Sequence, residues 1–147
     1  MAYQRDDELV RRLLSTPATW AVVGLSADRD RVAYGVADWM GRRLGLRLIP
    51  VNPRGEDALG ERGYRSLADV PDSEQVAVVD CFVNSRRVGE IVDQAVEHRE
   101  RLGIGAVWLQ IGVIDEAATE RAAAAGLDVV MDACPKVEAT RLGVASY

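Results

Sequence analysis

The chain is predicted to be α/β: one Rossmann-like domain, a doubly wound parallel sheet in three layers. Three observations carry that prediction. Short apolar β-rich runs alternate with helix-period segments from end to end, the pattern of a parallel sheet covered on both faces and joined by right-handed crossovers. The run Val76–Val83 is almost continuously apolar, as a strand buried on both sides must be. The runs ending near Gly24 and Val51 each stop at turn-forming residues. With 147 residues, 48% of them apolar, the chain suits one domain over 1–147 with a normal core.

The elements follow in order. Asp6–Ser15 reads as an amphipathic helix, with Leu9, Val10, Leu13 and Leu14 on one side and Thr16-Pro17 as its stop. Trp20–Gly24 is the first strand. Arg31–Leu44 is a helix whose Val32, Val36, Met40 and Leu44 recur every four positions as a stripe against the sheet, with Gly45 as C-cap. Leu46–Val51 is the second strand, followed by a turn-rich loop from Asn52 to Glu61. Gly63-Tyr64-Arg65 is read as a short third strand, and Ser66–Pro71 as a turn. After strand Val76–Val83, the segment Arg86–Leu102 gives the clearest helix, through Val88, Ile91, Val92, Ala95 and Val96. Ala106–Leu109 is a strand. Asp115 caps an alanine-rich helix that reaches Ala125 and ends at Gly126. Leu127–Met131 is the last strand and Val137–Leu142 a terminal helix.

A net charge of −5 disfavours nonspecific nucleic-acid binding, which needs a basic face. It leaves room for a local basic pocket that takes a phosphorylated small molecule. Arginine supplies every basic residue except Lys136. Cys81 and Cys134 are too few and too far apart for a disulfide framework or a zinc site, and no metal is expected. No apolar run approaches the ~20 residues that span a bilayer, and Met1–Glu8 lacks the apolar core of a signal peptide. The expected location is the cytoplasm, with no membrane association.

Ligands of such sheets bind beyond the carboxyl ends of the strands, near the point where strand order reverses. The segments leaving those ends are 24–30, 52–55, 81–85, 110–113 and 132–136. The first is a strand, a glycine turn and a helix start, an arrangement whose backbone N–H groups and helix dipole attract an anion. Gly24 and Gly112 serve either to admit a ligand or only to turn the chain. A dinucleotide signature is missing: the loop reads Gly24-Leu-Ser-Ala-Asp-Arg29 instead of G-x-G-x-x-G, and Val51-Asn52-Pro53 lacks the acidic residue that holds a ribose diol. Arg54 in that place suits a phosphate, so an NADP-dependent oxidoreductase stays open as the alternative. No P-loop sequence occurs.

Six segments in order, Val22-Val-Gly-Leu-Ser26, Val51-Asn-Pro53, Tyr64-Arg-Ser-Leu67, Val79-Asp-Cys-Phe82, Val107-Trp-Leu-Gln-Ile-Gly-Val113 and Val129-Val-Met-Asp-Ala-Cys134, resemble the small stand-alone CoA-binding proteins. These are similar to the N-terminal domain of the succinyl-CoA synthetase α subunit. The resemblance covers about 20–142, and its most specific piece is Trp108–Val113 followed by Asp115-Glu-Ala-Ala118. It implies a domain that holds coenzyme A or an acyl-CoA. Gly24 and the loop of Ser26, Ala27, Asp28, Arg29 and Asp30 would face a phosphate-bearing part of the ligand. Asn52, Pro53 and Arg54 would line the adenosine or 3′-phosphate side, and Phe82, Val83 and Asn84 the other side of the groove, with Gly112 nearby. The chain departs from the family where Val83-Asn84-Ser85 precede Arg86-Arg87, and where Pro135 follows Cys134. The phosphate-binding candidates are therefore Arg29, Arg31, Arg54, Arg86 and Arg87, among many arginines expected to be solvated.

Succinyl-CoA synthetase uses a phosphorylated histidine on a further domain. The only histidine here, His98, lies late in the Arg86–Leu102 helix beside charged residues and is expected to face solvent. Asp80 and Asp132 are expected to hold loop N–H groups from strand ends, and Cys134 to be a small apolar side chain or, alternatively, a thiol near the pantetheine. No catalytic residues are assigned. The reading is a binding or sensing module with coenzyme A as ligand and room for an unidentified protein partner.

Overall fold

Every strand residue of the sheet centre is apolar or enclosed because helices cover both faces. The computed structural model describes residues 3–145; positions 1, 2, 146 and 147 of the expected domain lie outside the described residues. Strands β1 (Thr19–Val23), β2 (Arg47–Val51), β3 (Val78–Cys81), β4 (Ala106–Leu109) and β5 (Asp128–Val130) form one parallel sheet in the order β2-β1-β3-β4-β5. Strand order reverses between β1 and β3, so the crevice beyond their carboxyl ends is the switch point of the fold.

Alternate strand residues feed two cores. Trp20, Val22, Val78, Trp108 and Val130 pack with α1 (Asp7–Ser15), α2 (Val32–Leu44) and α6 (Pro135–Arg141). Ala21, Val23, Val79, Cys81, Val107 and Leu109 pack with α3 (Val88–Glu97), α4 (Arg99–Leu102) and α5 (Glu116–Ala124). The result is the three-layer, Rossmann-like single domain that the alternation of elements predicts.

Local chemistry sets the boundaries. The Asp6 carboxylate accepts from the N–H groups of Glu8 and Leu9 and starts α1. Asp115 does the same for α5 through Ala118 N–H. Gly45 ends α2 at φ +68°, as a left-handed C-cap does.

Four expectations are corrected. Gly63-Tyr64-Arg65 forms no strand: only Tyr64 bridges β2, through its N–H to Pro50 O and its carbonyl to Asn52 N–H. The Arg86–Leu102 helix breaks at His98, and four residues of α4 follow. Val32 does not join the buried stripe of α2 but is 74% exposed, while its neighbour Ala33 in the same turn is buried. Ala33, Ala37 and Trp39 are buried in its place, beside Val36 and Met40. His98 is mostly covered (17% side-chain exposure), and its Nδ1 accepts a bond from Arg101 Nε at 2.9 Å.

Candidate ligand site at the switch point

Gly24 closes β1 at φ +107°, and its N–H donates to Val51 O at 2.8 Å. A Cβ at this position would lie 2.5 Å from the Phe82 carbonyl oxygen. The glycine is thus required by the close approach of the β3 exit, whatever else it does at the site. Phe82 N–H completes the junction by donating to Val23 O.

Two clefts flank Asn52 and Pro53. The inner one, about 150 Å³, lies among Gly24, Asn52, Pro53, Val83, Arg65, Ser66, Arg87, Glu90, Ile91 and Gln94. The outer one, about 530 Å³, lies among Ser26, Ala27, Asp28, Arg31, Asn52, Pro53, Arg54 and Glu56. Pockets for small molecules usually enclose roughly 300–1,000 Å³, so the inner cleft alone is too small for a nucleotide. The outer cleft is within that range, and the two adjoin at Asn52 and Pro53.

Asn52 is buried and fully engaged. Its Nδ2 donates to Leu25 O and Glu56 O, while its Oδ1 accepts from the N–H groups of Arg54 and Glu56. An amide offers two donors and two acceptor positions, so this side chain shapes the loop and has none left for a ligand. The 26–30 loop is likewise tied to itself: Ser26 Oγ accepts from Asp28 N–H, and the Asp28 carboxylate from Asp30 N–H. The helix α2 that follows has no side-chain cap and no acidic residue in its first turn, and the nearby Asp28 carboxylate is paired with Arg31.

Of the residues expected at the site, Gly24, Ser26, Ala27, Asp28, Asn52, Pro53, Arg54 and Val83 line these clefts. The others stand elsewhere. Arg29 lies over the Tyr34 ring, 5.7 Å from its centroid, and Asp30 is exposed at the loop end. Phe82 packs against the α2–α6 core. Asn84 accepts from the N–H groups of Arg86 and Arg87 and begins the turn into α3. Gly112 belongs to the loop after β4, where its N–H donates to Asp132 Oδ1 at 2.7 Å. That bond is the loop contact expected of Asp132.

Asp80 differs. It lies inside β3, not at a strand end, fully buried, with Oδ1 accepting from Gln110 Nε2 at 2.7 Å and Oδ2 without a partner. Burial pushes its pKa up to about 7 against the lowering effect of the Gln110 bond. Cys134 is half-buried at the start of α6.

The residue that sequence reasoning missed is Arg65. It lies in the segment Tyr64-Arg-Ser-Leu67 of the resembling pattern but is not among the arginines expected to meet phosphate. In the structure Arg65 and Arg87 both line the inner cleft, and the Arg65 Cγ would lie 3.3 Å from a Cβ on Gly55. Among the described residues, Arg43, Arg54, Arg65, Arg86 and Arg87 make no side-chain hydrogen bond, ion pair or ring contact. Every other arginine has one. Four of those five stand on the loops around the switch point. The described residues contain no group of three or more His, Cys, Asp or Glu side chains placed to hold a metal, and no helix among them is long and apolar enough to cross a membrane.

Residues 18–140 match the CoA binding domain family. An uncharacterised protein of Bacillus subtilis, YneT, is 30% identical over 128 residues, 87% of this chain and 90% of that one. A hypothetical protein of Pyrococcus horikoshii superposes with a TM-score of 0.82 at 33% identity, covering 97% of this chain and 99% of its own. The ADP-forming acetate–CoA ligase of Methanocaldococcus jannaschii is 29% identical over 75 residues, half of this chain but only 10% of the ligase.

Proposed function

The chain belongs to the CoA-binding domain family, and from that premise we propose that it holds coenzyme A along the carboxyl edge of its sheet, as a binding or sensing module. The observation that carries this reading is the set of uncommitted arginines, Arg54, Arg65, Arg86 and Arg87, around the switch point. Coenzyme A brings a 3′-phosphate and a diphosphate, and guanidinium groups suit phosphates through paired, charge-assisted hydrogen bonds. An arginine already bonded to a carboxylate would have to give that bond up first; these four have none to give up.

The chemistry divides by position. Arg54 stands at the outer cleft with Arg31, where the α2 dipole adds to the attraction for an anion. Arg65 and Arg87 stand at the inner cleft and supply a second positive centre. Gly24, Pro53 and Val83 provide small or apolar walls between them. Asn52 holds the loop in shape without touching the ligand through its amide. The partial likeness to an acetate–CoA ligase supports a ligand of the CoA type.

The test is a thermal-shift titration of ligand-stripped protein with CoA, dephospho-CoA, NAD and NADP. A ligand that binds only the native state raises Tm by mass action. CoA is expected to stabilise, dephospho-CoA less. A response to NADP alone would replace this reading with that of a nicotinamide-dependent protein.

A further inference from the structure

The large apolar side chains that remain exposed among the described residues, Val32, Ile111, Ile114 and Val137, all lie at the carboxyl edge of the sheet. Val32 begins α2, Ile111 and Ile114 occupy the loop after β4, and Val137 lies in the first turn of α6. The uncommitted arginines occupy the other part of the same edge: Arg54 after β2, Arg65 beside β2, Arg86 and Arg87 after β3. Because the strand order is β2-β1-β3-β4-β5, the uncommitted arginines stand at β2 and β3, Val32 stands among them at the exit of β1, and Ile111, Ile114 and Val137 stand together at the β4 and β5 end.

A single exposed isoleucine needs no explanation. A pair held on a fixed loop is different. Ser85 Oγ donates to Gly112 O and accepts from Ile114 N–H at 2.9 Å, which ties the loop to the exit of β3. Gly112 N–H donates to Asp132 and ties it to the exit of β5. Val113 N–H donates back to Gln110 O, and the Val113 side chain is buried between the two exposed isoleucines in sequence. The loop is therefore ordered before anything binds, which lowers the entropic cost of covering it.

We propose, on the footing of the CoA reading above, that the ligand of this site is a CoA thioester with an apolar acyl chain longer than acetyl, whose tail lies against Ile111, Ile114 and Val137. The phosphate-bearing end then meets the arginines and the acyl end the aliphatic side chains. Charge and hydrophobicity run along the edge in the same order as along such a molecule. Three aliphatic side chains are enough for an acyl tail. They fall far short of the ~800 Å² that each partner contributes to a stable protein interface, which disfavours a docked protein as the occupant.

The experiment is calorimetric titration of the whole chain with CoA, acetyl-CoA and octanoyl-CoA, repeated on the double variant Ile111→Ser/Ile114→Ser, whose changes are on exposed side chains. Each methylene taken fully out of water favours binding about fourfold. Octanoyl-CoA is expected to bind at least ~10-fold tighter than acetyl-CoA, and the double variant to lose that gain while its affinity for CoA is unchanged. Equal affinity for all three ligands would overturn the acyl inference and leave the CoA reading intact. A gain for octanoyl-CoA that persists in the variant would overturn the placement of the tail. Failure of all three to bind would remove the CoA reading and the inference with it.

Discussion

The two edges of the sheet use arginine in opposite ways. At the amino edge, Arg47 opens β2 and bonds to both Glu61 and Glu74, while Arg12 pairs with Asp128 at the start of β5. Arg101 in α4 reaches the carbonyls of Leu67, Ala68 and Val70 and the carboxylate of Asp72. At the carboxyl edge, Arg54, Arg65, Arg86 and Arg87 have no such bonds. Arg54, Arg65, Arg86 and Arg87 are thus left uncommitted at one edge, where Arg31 pairs with a carboxylate, while Arg12, Arg47 and Arg101 do structural work at the other. The contrast teaches that the partners of an arginine tell more about its role than its presence in the sequence.

The largest effect expected lies between the edges, at Asp80. Its pKa of about 7 stands above the ordinary carboxylate value, so the native protein holds a proton that the unfolded chain releases. Stability from this group is full below about pH 4 and is lost as pH rises to about 7, by on the order of 4 kcal/mol. Denaturant titrations between pH 4 and 8 are expected to show that decline. Asp80→Asn should flatten it and raise stability at pH 8; an unchanged slope in the variant would assign the decline to another group.

The next effect is at Gly24. Ala at φ +107°, with its Cβ 2.5 Å from Phe82 O, should cost about 3 kcal/mol or more through strain and displaced backbone. Its denaturation midpoint should fall accordingly. A third prediction sharpens the comparison itself. Arg101→Ala removes the donor from several loop carbonyls and should cost about 2 kcal/mol, with no change in CoA affinity. Arg65→Ala should change stability by less than about 0.5 kcal/mol yet weaken CoA binding. If Arg65→Ala destabilised as much as Arg101→Ala, the contrast between the edges would fail.

The contrast also marks how far the sequence could be read. The alternation of apolar runs and 3.6-period segments located the five strands and main helices, because burial on two faces leaves its mark residue by residue along the chain. Gly45 and Asp115 announce their caps for the same local reason, whereas the capping by Asp6 is seen only in the structure. What stayed hidden depends on contacts between distant segments. Nothing near Tyr64 in sequence tells that Pro50 and Asn52 take its backbone bonds and so bring Arg65 to the inner cleft. Nothing near Asp80 announces Gln110, thirty positions on. The periodicity of Val32 matches its helix, but which side chain of the first turn the core covers, here Ala33, is set by the tertiary structure. At the site, Gly24, Pro53 and Arg54 were legible as turn and charge. The full engagement of Asn52 and the capping work of Asn84 required the folded loops.

The most direct test compares CoA affinity, by calorimetry, across single alanine variants of Arg54, Arg65 and Arg87 at the carboxyl edge and Arg12 and Arg47 at the amino edge. A charge-assisted bond to phosphate contributes about 1.5–3 kcal/mol, so a loss of ~10-fold or more is predicted for at least two of the first three. No loss is predicted for Arg12→Ala or Arg47→Ala. Uniform, small losses across both edges, or none at all, would contradict a phosphate-binding role for the uncommitted arginines.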